Sequence, residues 1–171
     1  MVDDEFSQAA LDHLDMLYNL ARRLTPSRQE AEDLVQETCV RALRGWRREP
    51  PRDIGPWLAA ICLNAARSQY RWRRVRPPEV LEANPGSGLP ATADTAEEAM
   101  SRVIRDAVHR AIWQLPAAQR ETITLMDLCG FTAAQVAQMT GTPRGTVLAR
   151  AHRGHKRLAV LLEEEVVADE A

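Results

Sequence analysis

Residues 77–95, PPEVLEANPGSGLPATADT, carry four prolines and two glycines among few apolar side chains. Neither a helix nor a strand runs through such a stretch, because proline lacks the donor that a hydrogen-bond ladder needs and glycine gives up too much chain entropy. The chain on either side must therefore find its own core. At about 3.3 Å per residue the segment spans up to roughly 60 Å, so the two halves need not touch. With 171 residues, 45% hydrophobic and only 5% aromatic, and with few β-branched runs, the composition favours helices. The expected fold is all-α: two small helical domains joined by a flexible linker.

Before the linker, the spacing predicts a helix over about residues 8–24, with Ala10, Leu14, Leu17, Ala21 and Leu24 on one stripe, ended by Thr25-Pro26. Ser27-Arg28-Gln29-Glu30 has capping-box spacing and opens a second helix, whose buried stripe is Ala31, Leu34, Val35, Cys39, Ala42, Leu43 and Trp46. Its other side shows Glu32, Asp33, Gln36 and Glu37. After the breaker RREPPRDIG, Pro56 stands where the first position of the next helix is expected. That helix, residues 57–74, has two faces: Trp57, Leu58, Ile61, Cys62, Ala65 and Trp72 share an apolar arc, while Asn64, Arg67, Arg71 and Arg74 share a neighbouring one. Guanidiniums interleaved with Tyr70 and Trp72 suit a nucleic-acid strand, since arginine pairs with phosphate and a ring offers a platform to an unstacked base. A solvated basic face over core tryptophans is the plainer reading of the same residues.

After the linker, Thr95-Ala96-Glu97-Glu98 caps a helix with the stripe Met100, Val103, Ile104, Ala107, Val108, Ala111, Ile112 and Leu115. A helix over about residues 117–129 follows, with Gly130 at its left-handed C-cap. Residues 131–158 then read as a helix-turn-helix. Thr132 and Gln135 cap the first helix, Gly141 makes the turn, and Thr142-Pro143 starts the second. Ala137, Gly141 and Val147 stand at the close-approach, turn and locking positions. Val147, Ala151, Gly154 and Leu158 face inward, which leaves Arg144, Thr146, Leu148, Ala149, Arg150, His152, Arg153 and Lys156 for solvent or DNA.

Charge supports a polyanion partner although the formal net charge is −2. Residues 41–76 hold ten arginines against Glu49 and Asp53, residues 144–157 hold five cations and no acid, and the last nine residues hold five acids and no base. Cys39, Cys62 and Cys129 are widely spaced, with no metal-ligand pattern, and read as small buried hydrophobes of a reducing cytosol. Neither a secretory leader nor an apolar run of membrane-spanning length is evident, so a cytoplasmic location is expected. No P-loop, nucleophile elbow or clustered histidines point to catalysis, a cofactor or a metal; His13, His109, His152 and His155 are scattered.

The order AEDLVQETCVRAL, PWLAAICLNAARSQYRWRR, linker, then LPAAQRETITLMDLCGFTAAQVAQMTGTPRGTVLARAHRGHKRL resembles the extracytoplasmic-function (group 4) sigma factors of bacterial RNA polymerase. The resemblance implies a region 2-like domain over residues 8–76, a linker over 77–95, a region 4-like helix-turn-helix domain over 96–162 and an acidic tail over 163–171. It implies that Asp33, Gln36 and Glu37 dock on the β′ clamp helices of core polymerase, and that residues 47–55 form the loop that captures a flipped base. It further implies that Asn64, Arg67, Ser68, Arg71, Trp72, Arg73 and Arg74 hold and melt the −10 element. Arg144, Thr146, Ala149, Arg150, His152, Arg153 and Lys156 then read the −35 element, while the β flap and an anti-sigma factor are further partners. The implied protein is a specificity subunit that directs promoter recognition and initiation, not an enzyme.

Three rivals cover parts of this pattern. A stand-alone helix-turn-helix repressor leaves the N-terminal basic helix idle; a sigma mimic that titrates an anti-sigma protein has no use for the exposed cations; an RNA-modifying enzyme lacks its catalytic groups. The acidic tail reads either as a solubilising end or as a strap over the basic zones. The chain departs from the family pattern in two places. Cys39 stands where the family often has an aromatic residue, and the recognition helix runs Val147-Leu148-Ala149-Arg150 where the family usually has Val-Lys-Ser-Arg. A lost phosphate contact implies weak or unusual −35 preference. A Leu148→Lys variant is therefore expected to bind −35 duplex more tightly than the parent in a fluorescence-anisotropy titration, and equal affinities would count against this reading.

Overall fold

The apolar spacing resolves into helices in the computed structural model, which describes residues 2–75 and 96–169. The expected linker lies outside the described residues. Among them the order is α1 (Val2–Leu11), α2 (Leu14–Leu24), α3 (Arg28–Trp46), α4 (Ile54–Val75), α5 (Ala96–Trp113), α6 (Ala117–Ile123) continuing as a π-helical turn (Thr124–Leu128), α7 (Ala133–Thr140) and α8 (Arg144–Asp169). The acids of residues 163–169 thus extend α8 itself.

The single N-terminal helix expected over residues 8–24 is two helices. The His13 amide turns back to the Ala10 carbonyl at 3.0 Å, and the ladder restarts with Leu17 on His13 at 2.9 Å. The bend lets α1 fold onto α3, where Phe6 and Ala10 are buried and Phe6 meets Trp46 edge-on at 5.8 Å. The Ser27 hydroxyl accepts from the Glu30 amide at 3.2 Å, which starts α3 where its capping spacing predicts. Thr38, absent from the expected stripe, is fully buried, because its hydroxyl donates to the Leu34 carbonyl at 2.7 Å and leaves only its methyl to pack.

Helix α4 begins at Ile54, so Pro56 is its third residue and not its first. The displacement is tolerated, because no amide of the first turn has an intrahelical partner. Leu58, Ala59, Cys62, Leu63, Ala65 and Ala66 are buried along it. At its start, a Cβ on Gly45 of α3 would lie 2.9 Å from the Trp57 ring. Glycine at that point is what lets the two backbones close on the indole.

In the second half, Ala111, Ile112 and Leu115 are buried as expected, but Met100, Val103 and Ile104 are 62%, 52% and 56% exposed. The stripe continues past the packing: α5 meets α8 and α2, and burial is confined to its C-terminal part. The helix after Pro116 widens at residues 124–128, where the Cys129 amide reaches the Thr124 carbonyl at 3.0 Å. Gly130, at φ +76°, then turns the chain so that the Phe131 amide bonds the Leu125 carbonyl at 3.0 Å, closing the C-cap its sequence position predicts.

The helix-turn-helix forms in register. Thr132 and Gln135 make a reciprocal capping box, Gly141 takes φ +62°, and Val136, Val147 and Ala151 are buried between α7 and α8. Helix α8 begins at Arg144, and the Thr142 hydroxyl, expected to cap it, lies 3.4 Å from Arg150 Nη1 and accepts from that guanidinium.

The two halves also meet. Helix α2 packs against α5, α6 and the π-helical turn, and α4 packs against α7. Leu17, Leu20, Leu58 and Leu63 thereby join Leu125, Val136 and Val147 in one buried cluster. At this seam His109 Nε2 lies 3.2 Å from the Arg22 carbonyl and 3.3 Å from the Trp113 indole nitrogen. Only one of those two bonds can form at a time, since Nε2 must donate to the first and accept from the second.

Two outcomes follow from this packing. A Cβ on Gly154 of α8 would sit 2.8 Å from Cγ1 of Ile123, itself 2% exposed, so Gly154→Ala overpacks the α6–α8 contact. Urea unfolding of the variant should show a loss of up to about 2 kcal/mol, the overpacking cost less the helix propensity gained. Burial, reinforced by Arg23 and Arg22 and opposed by the Arg22 carbonyl and Asp106, holds the His109 imidazole pKa below its ordinary value. A depressed imidazole pKa means the unfolded chain takes up a proton that the native chain refuses, so its contribution is full above about pH 6.5 and falls as pH drops below it. Thermal unfolding should lose less between pH 7.5 and 5.5 in His109→Gln than in the parent chain.

Candidate nucleic-acid and polymerase interface

Helix α3 turns its polar side outward opposite the Ala31–Leu34–Thr38–Ala42 core stripe. Asp33 and Gln36 are exposed, and Asp33 accepts from the Gln29 side-chain amide at 3.1 Å. Glu37 is half-buried and accepts from Arg41 at 2.5 Å and from Gln69 of α4 at 2.7 Å. The next residue on the same face, Val40, is 50% exposed. Sequence reasoning passed over Val40, although its spacing of seven from Asp33 and three from Glu37 places it there. Acids and amides around an exposed aliphatic residue make a surface that can bond a basic partner helix at its rim and bury apolar atoms at its centre.

Helix α4 passes beside this face and presents the second group. Asn64 and Arg71 are exposed; Ser68 is half-buried and donates to the Asn64 carbonyl at 2.9 Å; Tyr70 is 63% exposed. The side chains of Trp72, Arg73 and Arg74 lie outside the described ones, although their backbone continues α4. Arg67 behaves differently from its neighbours. Its Nε and Nη2 donate to Glu121 of α6 at 3.2 and 2.5 Å, and the hydrogen bonds to that carboxylate raise the guanidinium pKa against the opposing effect of burial.

A cleft of about 500 Å³ opens where α4 faces α6, lined by Asn64, Arg67, Tyr70 and Arg71 on one side and by Arg120 and Glu121 on the other. Arg120 lies 4.1 Å over the Trp113 ring and donates to the Trp113 carbonyl at 3.2 Å, and burial lowers its pKa. Neither Arg120 nor Glu121 was legible as a site residue, since each stands more than 40 positions from the basic helix and in an unremarkable helical stretch.

The third group lies on α8. Arg144, Ala149, His152, Arg153 and Lys156 are exposed, and Thr146 is half-buried. Arg150 is half-buried and tied to Thr142, which fixes its position over the turn. Leu148, 44% exposed, sits among these cations. His155 pairs with Asp127 of the π-helical turn at 2.6 Å, and so belongs to the bracing of α8 more than to its outer face.

The thiols stand apart from these surfaces. Burial pushes Cys62 up to about 12 and Cys129 up to about 11, and raises Cys39, which leaves all three protonated and unreactive near neutral pH. Among the described residues no group of three His, Cys, Asp or Glu side chains could hold a metal ion, and no helix is long and apolar enough to cross a membrane.

The family model of Sigma-70 region 2 matches residues 10–76 and that of Sigma-70 region 4 matches residues 105–158. The chain is 32% identical over 161 residues to the ECF RNA polymerase sigma factor SigM of Mycobacterium tuberculosis, covering 92% of this chain and 76% of that one. It is 31% identical over 160 residues to SigL of the same organism, covering 90% and 86%. Among solved structures it is similar to the sigma factor RpoE of Bartonella quintana in complex with the anti-sigma factor NepR, with a TM-score of 0.77, 29% identity and coverage of 93% and 97%. The fold alone is shared with CnrH in complex with the cytosolic domain of CnrY, at a TM-score of 0.69 and 24% identity over 95% and 90% of the chains.

Proposed function

The chain belongs to the extracytoplasmic-function sigma factors of bacterial RNA polymerase, and on that premise we propose which of its surfaces does what. Residues 8–76 form the region 2 unit, 77–95 the linker, 96–162 the region 4 unit, and 163–171 the acidic end. Sigma factors bind core polymerase and direct it to promoters; they are regulatory subunits and not catalysts.

The observation that carries the assignment is the division of α3 and α4 into separate outward faces. The α3 face of Asp33, Gln36 and Glu37, with Val40 at its centre, is the docking surface for the β′ clamp helices. Asn64, Arg67, Ser68 and Arg71, continued by Trp72, Arg73 and Arg74, form the face that holds and melts the −10 element. Cations there bond the displaced strand's phosphates, and Tyr70 beside them offers the flat ring that an unstacked base needs. Residues 47–55, which run from the end of α3 into the first turn of α4, form the segment that receives the flipped base.

Arg144, Thr146, Ala149, Arg150, His152, Arg153 and Lys156 on α8 enter the major groove of the −35 element, with the β flap holding the region 4 unit in place. Leu148 and Ala149 bring few hydrogen-bonding groups to base edges, so phosphate contacts dominate there. The likeness to a sigma factor solved with its anti-sigma factor supports a further partner: an anti-sigma factor that keeps this chain from polymerase. The protein acts in the cytoplasm, where polymerase and promoter are.

Run-off transcription with purified bacterial core polymerase, this protein and fragmented genomic DNA tests the proposal. Discrete starts sharing −35 and −10 elements are expected. Asp33→Arg should abolish them by preventing core binding, and Arg71→Ala should weaken holoenzyme binding to −10 DNA while lowering the log–log salt slope by about 1, the signature of one lost phosphate contact. Absence of starts in a mixture shown to contain the holoenzyme would refute the assignment.

A further inference from the structure

Leu148 differs in kind from the surface it occupies. It is 44% exposed on the second turn of α8, where Arg144 before it and Arg153 and Lys156 after it are exposed cations. Gly145, Leu148, Ala149 and His152 follow the spacing i, i+3, i+4, i+7, so they share one face of the helix, and all four are exposed. A Cβ added at Gly145 would meet nothing within 4 Å, so the protein leaves the approach to this face open.

The rotation of α8 about its axis is fixed from behind. Val147, Ala151 and Gly154 are buried, Gly154 lies against Ile123, and His155 pairs with Asp127 of the π-helical turn at 2.6 Å. Leu148 and Ala149 are therefore presented outward at one phase. Arg150, whose fork could otherwise take two acceptors of a base, is half-buried and donates to the Thr142 hydroxyl at 3.4 Å. An aliphatic side chain laid on a base edge leaves the donors and acceptors of that edge without partners, which costs binding. The exception in the major groove is the C5 methyl of thymine, the apolar group that base pairs display there.

We propose that Leu148 and Ala149 are specificity-determining residues that pack on thymine methyls of the −35 element, so that part of its sequence is read by apolar contact in place of hydrogen bonds. The proposal rests on the assignment of α8 to the −35 element. The cations around the two residues hold phosphates and bind any sequence; the methyl contacts choose among sequences. Each contact is expected to contribute about fourfold in affinity, the factor that corresponds to burying one methyl-sized group.

Deoxyuridine tests this, because it keeps the pairing and the hydrogen-bonding edge of thymine and lacks only the methyl. Holoenzyme containing the full-length chain is titrated by fluorescence anisotropy with promoter duplexes from the mapped starts, each thymine of the −35 element being replaced in turn. One or two replacements should weaken binding about fourfold each, and the others should leave it unchanged. Leu148→Ala shortens an exposed side chain, and circular dichroism should show it folded; at the position Leu148 contacts it should bind thymine and deoxyuridine duplexes alike. Leu148→Lys should bind every duplex more tightly and lose the same discrimination. A −35 element with no thymine at a shared position overturns the methyl contact, as do replacements that all leave binding unchanged, or effects that persist at every position in both variants. Failure of the underlying −35 assignment shows differently: scrambling the whole −35 element then leaves holoenzyme binding and the start sites as they were.

Discussion

The close packing of α4 against α3 is the constraint on which both outward faces depend. Small residues carry it: Gly45 admits the Trp57 ring at a distance no side chain would allow, and Ala59, Ala65 and Ala66 keep the rest of α4 low against its neighbours. With its buried arc committed in this way, α4 has no rotational freedom left. Asn64 and Arg71 are held on the outer side by the inner residues, while Arg67 beside them is also tied to Glu121 of α6. Preorganised elements carry such groups more accurately than loops do.

Much of this was legible in the sequence because it is local. The Ser27 and Thr132 caps, the left-handed Gly130 and Gly141, and the inward stripe of Val147 and Ala151 are decided within one or two helical turns, and each appears where its residue type predicts. What escaped was set by distant partners. The bend at His13 follows from Phe6 reaching Trp46 on another helix. The outward Met100, Val103 and Ile104 have a periodicity indistinguishable from a core stripe, and only the extent of the neighbouring helices decides where burial stops. The π-helical turn is equally silent, since Thr124 to Leu128 hold no residue that an α-helix would refuse.

The candidate site divides along the same line. Residue types and helical phase were sufficient to gather Asp33, Gln36 and Glu37 on one face and Asn64, Arg67 and Arg71 on another. They said nothing of Glu121, whose relation to Arg67 exists only because the two halves meet. A long proline-rich connection reads as permission for the halves to separate, and permission is compatible with contact. The buried cluster that includes Leu63 and Val136 shows that apolar surface on both halves takes the opportunity.

The 2.7 Å hydrogen bond from Gln69 to Glu37 joins the two outward faces through a single pair of side chains. Substitution data on them therefore cannot be summed as if they came from separate proteins. A change at Glu37 frees the Gln69 amide beside the α4 cations, and a change at Gln69 leaves Glu37 to Arg41 alone. Coupling energies measured by double-mutant cycles, and not single substitutions, are the quantities that apportion polymerase binding and DNA binding across this pair.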